Sequence, residues 1–256
     1  MARFDLTDFE WSVIQPLLPT KVRGKPRVDD RRVLNGIFWR LRTGAPWADI
    51  PARYGPYTTC VNRFNRWRRA EYWARILGAI SEAYEGDIQM IDSSSIRVHQ
   101  HGANGPKRGG RSDCMGRSRS GLTTKIHALV DALGRPIRLK LTPGQAHDGR
   151  STADMFRSVL AGQTLLADRA YDSDALHDVL AARGAFANIR LMPNRVRHFP
   201  FDSEPYKARN AVERFFNKLK HFRAVATRYD KRDDNYLAPA QLASIRIWLR
   251  TYESVT

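Results

Sequence analysis

Two short apolar runs, each followed by an aspartate, are the feature that most restricts how this sequence can fold. Residues 88–91 precede Asp92, and residues 164–167 precede Asp168. Short, largely apolar runs bounded by polar residues are typical of strands buried inside a sheet. The sequence therefore predicts a sheet in which two buried strands each end at an acidic residue.

The segments around these runs complete the prediction of a mixed sheet. Residues 123–130 and 136–141 alternate apolar and polar side chains on either side of a turn, which predicts a β-hairpin. The later segments predict a strand near 186–192 and helices near 151–161, 173–183 and 237–252. This order predicts an α/β fold, a mixed sheet flanked by helices. It is similar to the ribonuclease-H-like topology, in which the first and fourth strands lie side by side.

The charge balance indicates a polyanionic partner. The 256 residues include 43 Lys+Arg and 26 Asp+Glu, a formal net charge of +17. Because a compact chain with this surplus repels itself, we expect it to bind nucleic acid. No apolar run approaches the roughly 20 residues that span a bilayer. Cys60 and Cys114 are too few for a disulfide framework or a zinc site. We therefore expect a cytoplasmic protein with no membrane partner.

Residues 1–85 follow a helical period and predict a small all-α domain that precedes a second domain at 86–256. A tight turn and an Asn/Arg-rich helix starting near Thr58 favour a helix-turn-helix-like module that binds DNA ends. The outward residues of that helix, predicted to bind DNA, are Asn62, Arg63, Arg66 and Arg69. The alternative is a plain helical bundle whose arginines face water.

Residues 97–120 are rich in Gly, Arg and Ser and contain almost no apolar side chains. This composition predicts a flexible basic loop that becomes ordered on a phosphate backbone. Its predicted DNA-binding residues are Lys107, Arg108, Arg111, Arg117 and Arg119.

A polar stripe follows on a predicted amphipathic helix. Its members are Tyr206, Arg209, Glu213 and Lys220. Steps of three, four and seven keep them within roughly 60° of one another on an α-helix. Ala208, Val212 and Phe215 belong to the apolar side. The two cations are either intrahelical partners of Glu213 or phosphate contacts, and we favour phosphate contacts. The tyrosine contacts a phosphate or a base, or else belongs to the core.

In a ribonuclease-H-like sheet, the ends of the first and fourth strands lie together and a late helix crosses nearby. Asp92, Asp168 and Glu213 hold those three places. Three converging carboxylates repel unless cations separate them, and Mg²⁺, or Mn²⁺ as a substitute, suits all-oxygen ligands. Two ions about 3.5–4 Å apart can support an in-line displacement at phosphorus. The rival acids in these segments are Asp87, Asp172 and Asp174.

The alternating segment 123–130 also carries polar candidates. Lys125 and His127 alternate with apolar neighbours, so both could face the acids. We include Lys125 among the DNA-binding residues. We leave His127, His147 and Asp148 without a role, because histidines in such positions are more often structural.

At these residues the sequence resembles a known family. The spacing Tyr-x2-Arg-x3-Glu-x6-Lys resembles the signature of DDE transposases of bacterial insertion sequences, in the insertion-sequence-four/five-like superfamily. Asp92-Ser93-Ser94-Ser95 is similar to the first acidic motif. Asp168-Arg169-Ala170-Tyr171 is similar to the second, Asp-x-Gly-Tyr/Phe, with Ala170 in place of the usual glycine. The stretches 6–11, 16–19 and 42–47 are similar to the family's small helical domain.

The resemblance implies cleavage at the terminal inverted repeats of a mobile element and joining of the 3′-hydroxyl ends to target DNA. It also implies two metal ions per active site, double-stranded DNA as partner and a homodimer that synapses two ends. One alternative is a ribonuclease-H-like structure-specific nuclease. Such a nuclease would need neither the Tyr, Arg and Lys residues of the signature nor a separate helical DNA-binding domain. The other is a catalytically inactive, transposase-derived DNA-binding protein, which the three intact acids disfavour.

Overall fold

The protein is represented by a computed structural model that describes residues 4–19, 28–82, 86–103 and 113–253. Within these ranges six strands form one mixed sheet. The strands are β1 (Ile88–Arg97), β2 (Gly116–Ser118), β3 (Gly121–Asp131), β4 (Pro136–Pro143), β5 (Thr164–Ala167) and β6 (Phe186–Ile189).

The strand order is β4-β3-β1-β5-β6, with the short strand β2 paired to β3. The first three long strands are antiparallel neighbours, whereas β5 and β6 continue the sheet in parallel with β1. The first buried run, β1, therefore lies beside the second buried run, β5. This arrangement confirms the predicted mixed sheet and the adjacency of those two strands.

Helices surround the sheet. They are α1 (Asp8–Ile14), α2 (Asp30–Thr43), α3 (Tyr57–Arg69), α4 (Tyr72–Ser81), α5 (Gln100–Ala103), α6 (Asp148–Ser151), α7 (Asp174–Ala181), α8 (Ser203–Tyr206), α9 (Asn210–Lys220), α10 (Arg223–Ala226) and α11 (Asp233–Glu253). Local sequence sets several of their ends. Thr7 and Glu10 form a capping box before α1, and Gly44 ends α2 in the left-handed conformation at φ 72°.

The two faces of the sheet are buried differently. One face packs against α9, α11 and the N-terminal helices, and Met90, Ala128 and Leu166 belong to this cluster. The other face packs against α7, and Ile91 and Leu129 belong to that cluster. This division follows the alternation of side chains along a strand.

The N-terminal helices share a core with the rest of the molecule. Helix α4 packs on α11 and β4, and the α1 side chain of Glu10 is fully buried in an ion pair with Arg246 of α11, at 2.9 Å. The division of the chain at 85/86 remains a prediction. No helix in the described part of the chain is long and apolar enough to cross a membrane.

Some predicted elements differ in the structure. The helix expected near 151–161 is reduced to α6 and one 3-10 turn, Met155–Ser158, since Gly149, Ser151 and Thr152 are weak helix formers. The predicted loop 97–120 contains α5 and β2, and β2 pairs with the first residues of β3. Lys107, Arg108 and Arg111 lie outside the described residues.

Candidate active site

The register of the sheet places two aspartates side by side. Ile88 pairs with Thr164 and Met90 with Leu166. Asp92 and Asp168 each follow two residues later, and their carboxylates both lie within 3.8 Å of one guanidinium nitrogen of Arg209. The sequence prediction that these acids meet therefore has a direct geometric cause.

Asp92 lies in the middle of β1, and the expectation that it ends the strand was wrong. The ladder with β3 continues from Asp92 opposite Ala128 to Arg97 opposite Thr123. The parallel partner β5 ends at Ala167, level with this point. Asp92 is therefore held by β3 on one side, and on its other side the strand opens into the gap beyond β5.

The third acid comes from α9, which packs on the same sheet face as Asp92. Val212, Phe215 and Leu219 of α9 are buried, and Glu213 is exposed on the opposite stripe, as predicted. The stripe is not one continuous α-helix, because a 3-10 turn at Lys207–Arg209 separates α8 from α9. For this reason Ala208, expected on the apolar side, is exposed.

Arg209 connects the three acids. Its Nη2 atom lies 2.7 Å from Asp92 Oδ2 and 3.8 Å from Asp168 Oδ2, and its Nη1 atom lies 3.0 Å from Glu213 Oε1. Only 15% of the Arg209 side chain is exposed. In the structure Arg209 is therefore an ion-pair partner of Glu213 and of both aspartates, and the phosphate contact that the sequence favours remains a prediction.

Burial and mutual repulsion shape the protonation of this cluster. Burial raises the pKa of Asp92 to about 6, although Arg209 and the backbone N–H of Ser93 oppose the change. Burial alone would lower the pKa of Arg209, but the attraction of Asp92, Tyr206, Asp168 and Glu213 outweighs burial and raises it. The guanidinium is consequently a permanent positive charge among acids that repel one another.

The donor set fits a divalent metal in its chemistry. Asp92, Asp168 and Glu213 offer only carboxylate oxygens, the ligands that Mg²⁺ prefers. Among the residues that the structure describes, however, no group of three acidic, histidine or cysteine side chains is arranged to hold a metal ion directly. The Arg209 guanidinium lies between these carboxylates.

The other two stripe residues flank the cluster. Tyr206 is half-buried, with its ring 5.1 Å from that of Phe201 in an edge-on contact, and burial raises its pKa. Lys220 is exposed at the end of α9. Both remain candidates for contact with DNA.

Lys125 and His127 do not face the three acids, contrary to the expectation. Asp92 pairs with Ala128, and Ser93 pairs with His127, so alternation sends Lys125 and His127 to the opposite face of the sheet. Lys125 Nζ lies 2.7 Å from Asp148 Oδ1 and also donates to the carbonyl oxygen of Ala146. The proposed phosphate contact of Lys125 is thus replaced by an internal ion pair.

A second polar cluster therefore contacts β1 on the face of the sheet opposite Asp92. We call it the rear polar cluster; its members are Ser93, Lys125, His127, Asp148 and Tyr171. Ser93 donates from Oγ to Asp148 Oδ2 at 3.1 Å, next in sequence to Asp92. His127 contacts Tyr171 Oη and Thr142 Oγ1, and burial lowers its pKa to about 4, which keeps the ring neutral.

Sequence reasoning missed the rear polar cluster. Its signals were Lys125 and His127 in the alternating segment 123–130 and Asp148 in the loop 144–149, but the register that places them on this face was not available from the sequence. Gly149 packs against the backbone of Tyr171, and a Cβ there would meet Ala170 O at 3.2 Å. The loop that carries Asp148 is therefore fitted to the segment that follows Asp168.

The outward residues of α3 divide into two groups. Asn62, Arg66 and Arg69 are exposed and line a cavity of about 390 Å³ with Asn65. Arg63 is buried, paired with Asp30 of α2 and packed over the Trp67 ring, so its assignment to DNA was wrong. The acid that pairs with it lies 33 residues earlier.

Two arginines of the predicted basic loop are described. Arg117 lies in β2, and Arg119 lies in the turn between β2 and β3. Both are exposed. They remain candidates for contact with DNA, and they lie on the hairpin formed by β2 and β3.

Two family models match consecutive parts of the chain. Residues 6–77 match the family described as "Putative transposase of IS4/5 family (DUF4096)". Residues 84–246, which include all three acids, match the family described as "Transposase DDE domain".

Individual relatives agree with the family models. The chain is 38% identical over 130 residues to "Putative transposase for insertion sequence element IS6501" of Brucella ovis, a match that covers 50% of this chain and 100% of that protein. It is 36% identical over 112 residues to a 16.2 kDa protein of insertion element IS402 from Burkholderia cepacia, covering 38% and 76%.

A solved structure shares the fold. The piggyBac transposase in a synaptic complex with hairpin DNA superposes with a TM-score of 0.57 at 10% identity, covering 94% of this chain and 69% of that chain. This likeness confirms the predicted ribonuclease-H-like fold. Because the DDE-domain match spans well over half of the chain and contains the three converging acids, the chain belongs to the DDE transposase family and is a DNA-cleaving transposase.

Proposed function

We propose that this transposase cleaves phosphodiester bonds at the terminal inverted repeats of its mobile element and joins the freed 3′-hydroxyl ends to target DNA. The observation that carries this proposal is the convergence of Asp92, Asp168 and Glu213, from three separate elements, on the single guanidinium of Arg209. Such an arrangement concentrates negative charge where a metal-dependent phosphoryl transfer requires it.

Asp92, Asp168 and Glu213 would hold the metal. Transposases of this family generally use divalent metal ions, and we propose two Mg²⁺ ions, replaceable by Mn²⁺. When bound, such ions polarise a scissile phosphate and favour deprotonation of the attacking hydroxyl. The rigid β1–β5 pair fixes Asp92 and Asp168, whereas the more exposed Glu213, on α9, completes the set.

Arg209, Tyr206 and Lys220 would orient the DNA strand. Released from the acids, the Arg209 guanidinium is suited to a bidentate contact with a phosphate. Tyr206 offers a hydroxyl and a ring at the same edge, and Lys220 lies further along α9. Arg209 and Tyr206 would hold the scissile phosphate in line with the attacking oxygen.

The remaining contacts would position the duplex. We assign recognition of the element's ends to the helical region 1–85 through Asn62, Arg66 and Arg69, and backbone contact to Arg117 and Arg119. We further propose a homodimer that brings two ends together, acting in the bacterial cytoplasm at the nucleoid. The net charge of +17 supports a long contact with DNA.

The test uses the DNA that flanks this gene. Purified protein is incubated with Mg²⁺ or Mn²⁺, a labelled duplex that carries one inverted repeat, and a supercoiled target plasmid. We expect cleavage at the repeat and a covalent product joined through its 3′ end. Cleavage without joining, independent of the repeat, would favour the structure-specific nuclease instead, and binding without cleavage would favour an inactive DNA-binding protein.

A further inference from the structure

A concave basic surface lies beyond the end of α9, outside the cluster of acids. We call it the basic groove; it is formed by Arg42, Lys218, Lys220, His221, Arg223 and Arg250. Arg42 and His221 line both of its two adjoining cavities, of about 520 and 290 Å³. Apart from Lys220, none of these residues was assigned a role from the sequence.

The lining of the basic groove carries one sign of charge. Neither cavity includes an aspartate or glutamate among the described residues. Lys218, Lys220 and Arg223 are exposed and take part in none of the ion pairs found between described residues. Arg250 lies 3.7 Å from Glu10, but that carboxylate is buried in its closer pair with Arg246. The outer surface therefore presents uncompensated positive charge.

The fold explains how the free protein tolerates this concentration of charge. Arg42, Lys218 and Arg250 lie in the last turns of α2, α9 and α11. The partial negative charge of a helix C-terminus stabilises a nearby cation. The helix ends are closely fitted, since a Cβ on Gly44 would lie 2.9 Å from Arg223 Cβ. The basic groove is thus a fixed feature of the packing.

Its position relates it to the acids. Glu213 and Lys220 are seven residues apart on α9, which corresponds to about 10.5 Å along the helix axis. The axial rise of B-DNA is about 3.4 Å per base pair, so this distance corresponds to roughly three base pairs. A duplex that runs along α9 from a scissile phosphate at the three acids would therefore reach the basic groove after about three base pairs.

We propose that the basic groove binds backbone phosphates of the duplex that flanks the scissile bond, starting about three base pairs away. This inference rests on the proposed function, because that function places the scissile phosphate at the acids. Cationic side chains on a concave surface fit phosphates of any sequence, so these contacts fix position and carry no direct sequence information.

The test measures the salt dependence of binding to a fluorescein-labelled 30-base-pair duplex of arbitrary sequence by fluorescence anisotropy. The variant Lys218→Gln/Arg223→Gln removes two exposed cations of the basic groove. We expect the slope of log affinity against log salt to become shallower by about 1.8, at about 0.9 per lost phosphate contact. The control Arg75→Gln/Arg157→Gln removes the same charge from exposed positions elsewhere, and we expect it to keep the wild-type slope.

Two results would overturn the inference: a wild-type slope in the groove variant, or an equal change in the control, which would indicate a diffuse charge effect. Thermal unfolding checks that each variant is folded. If the double variant does not fold, Arg223→Gln alone is used, and we expect it to make the slope shallower by about 0.9. Metal-dependent cleavage by wild-type protein is measured in parallel. If the wild type cleaves while the slope stays unchanged, the groove assignment fails and the proposed function stands; if the wild type does not cleave, the proposed function fails.

Discussion

At the scale of single residues, Arg209 is the most informative side chain, because it takes the place that a metal ion's charge would fill. Three carboxylates lie within 3.8 Å of its guanidinium nitrogens. The arginine offsets the mutual repulsion of these carboxylates, and we expect a divalent cation to compete with it for them. The same residue can then turn its guanidinium to a phosphate.

Replacement of Arg209 should therefore strengthen metal binding. In Arg209→Gln the acids lose their shared cation, and we expect the Kd for Mn²⁺, measured by calorimetry without DNA, to fall by about tenfold, equivalent to 1.4 kcal/mol. The control is Arg169→Gln, an exposed arginine beside Asp168, which should leave the Kd unchanged. Weaker or unaltered Mn²⁺ binding by Arg209→Gln would show that the arginine does not compete with the metal.

The Lys125–Asp148 pair makes a second residue-scale prediction. Lys125→Met leaves a largely buried carboxylate without its cation, and we expect a loss of about 1–3 kcal/mol in the free energy of unfolding. Adding Asp148→Asn should recover much of that loss, because the neutral amide no longer needs the cation. Chemical denaturation measures both. A lysine that contacts DNA would instead leave stability unaltered and make the salt dependence of DNA binding shallower by about 0.9.

At the scale of elements, the position of Glu213 depends on the packing of α9 against the turn between β3 and β4. Gly134 in this turn has φ 76°, and a Cβ there would lie 2.6 Å from the carbonyl oxygen of Ala211. The turn thus touches the first residues of α9 and limits how the helix approaches the sheet. The sequence indicated the hairpin and the helix separately, but it could not indicate that they meet.

Gly134→Ala tests this contact. Strain from the left-handed backbone, about 1–2 kcal/mol, is expected both here and in the control Gly162→Ala, where φ is 81° and no atom lies within 4 Å of the added Cβ. Only Gly134→Ala must also displace α9, so we expect a lower melting temperature and slower cleavage than in the control. Equal melting temperatures and rates in the two variants would contradict the proposed role of the turn.

At the scale of the whole molecule, the N-terminal helices and the sheet share one buried cluster that includes α11. Glu10 and Arg246 form a buried ion pair across this junction, and burial lowers the pKa of Arg246 to about 10. Removing one member of a buried pair commonly costs about 3–5 kcal/mol, because it leaves the other charge uncompensated. The junction should therefore affect the stability of both regions.

We expect calorimetry of the full chain to show one cooperative unfolding transition. In Arg246→Met this whole transition should move to lower temperature. The double variant Glu10→Gln/Arg246→Met should be less destabilised, since the introduced amide is neutral and its oxygen still accepts from the Thr7 backbone N–H, as the Glu10 carboxylate does. Two separated transitions, with only one moved by the substitution, would show that the regions fold independently.

The sequence was sufficient to predict that the three acids lie close together, because short buried runs and helical spacing are local signals. It was insufficient for Lys125 because the pairing register decides its face, and a shift of one residue reverses every side chain of a strand. Arg63 was misassigned because its partner Asp30 lies on another helix. The central position of Arg209 depends on the convergence of three elements, which no local pattern contains.

The central claim is that Asp92, Asp168 and Glu213 act together in metal-dependent cleavage of DNA. The most direct measurement is single-turnover cleavage of an element-end duplex by Glu213→Gln in Mg²⁺, with binding of the same duplex measured by anisotropy. We expect cleavage to fall by at least about 10³-fold, equivalent to roughly 4 kcal/mol of lost transition-state stabilisation, while the Kd for DNA stays close to wild type. Undiminished cleavage at unchanged affinity would contradict the assignment of the active site.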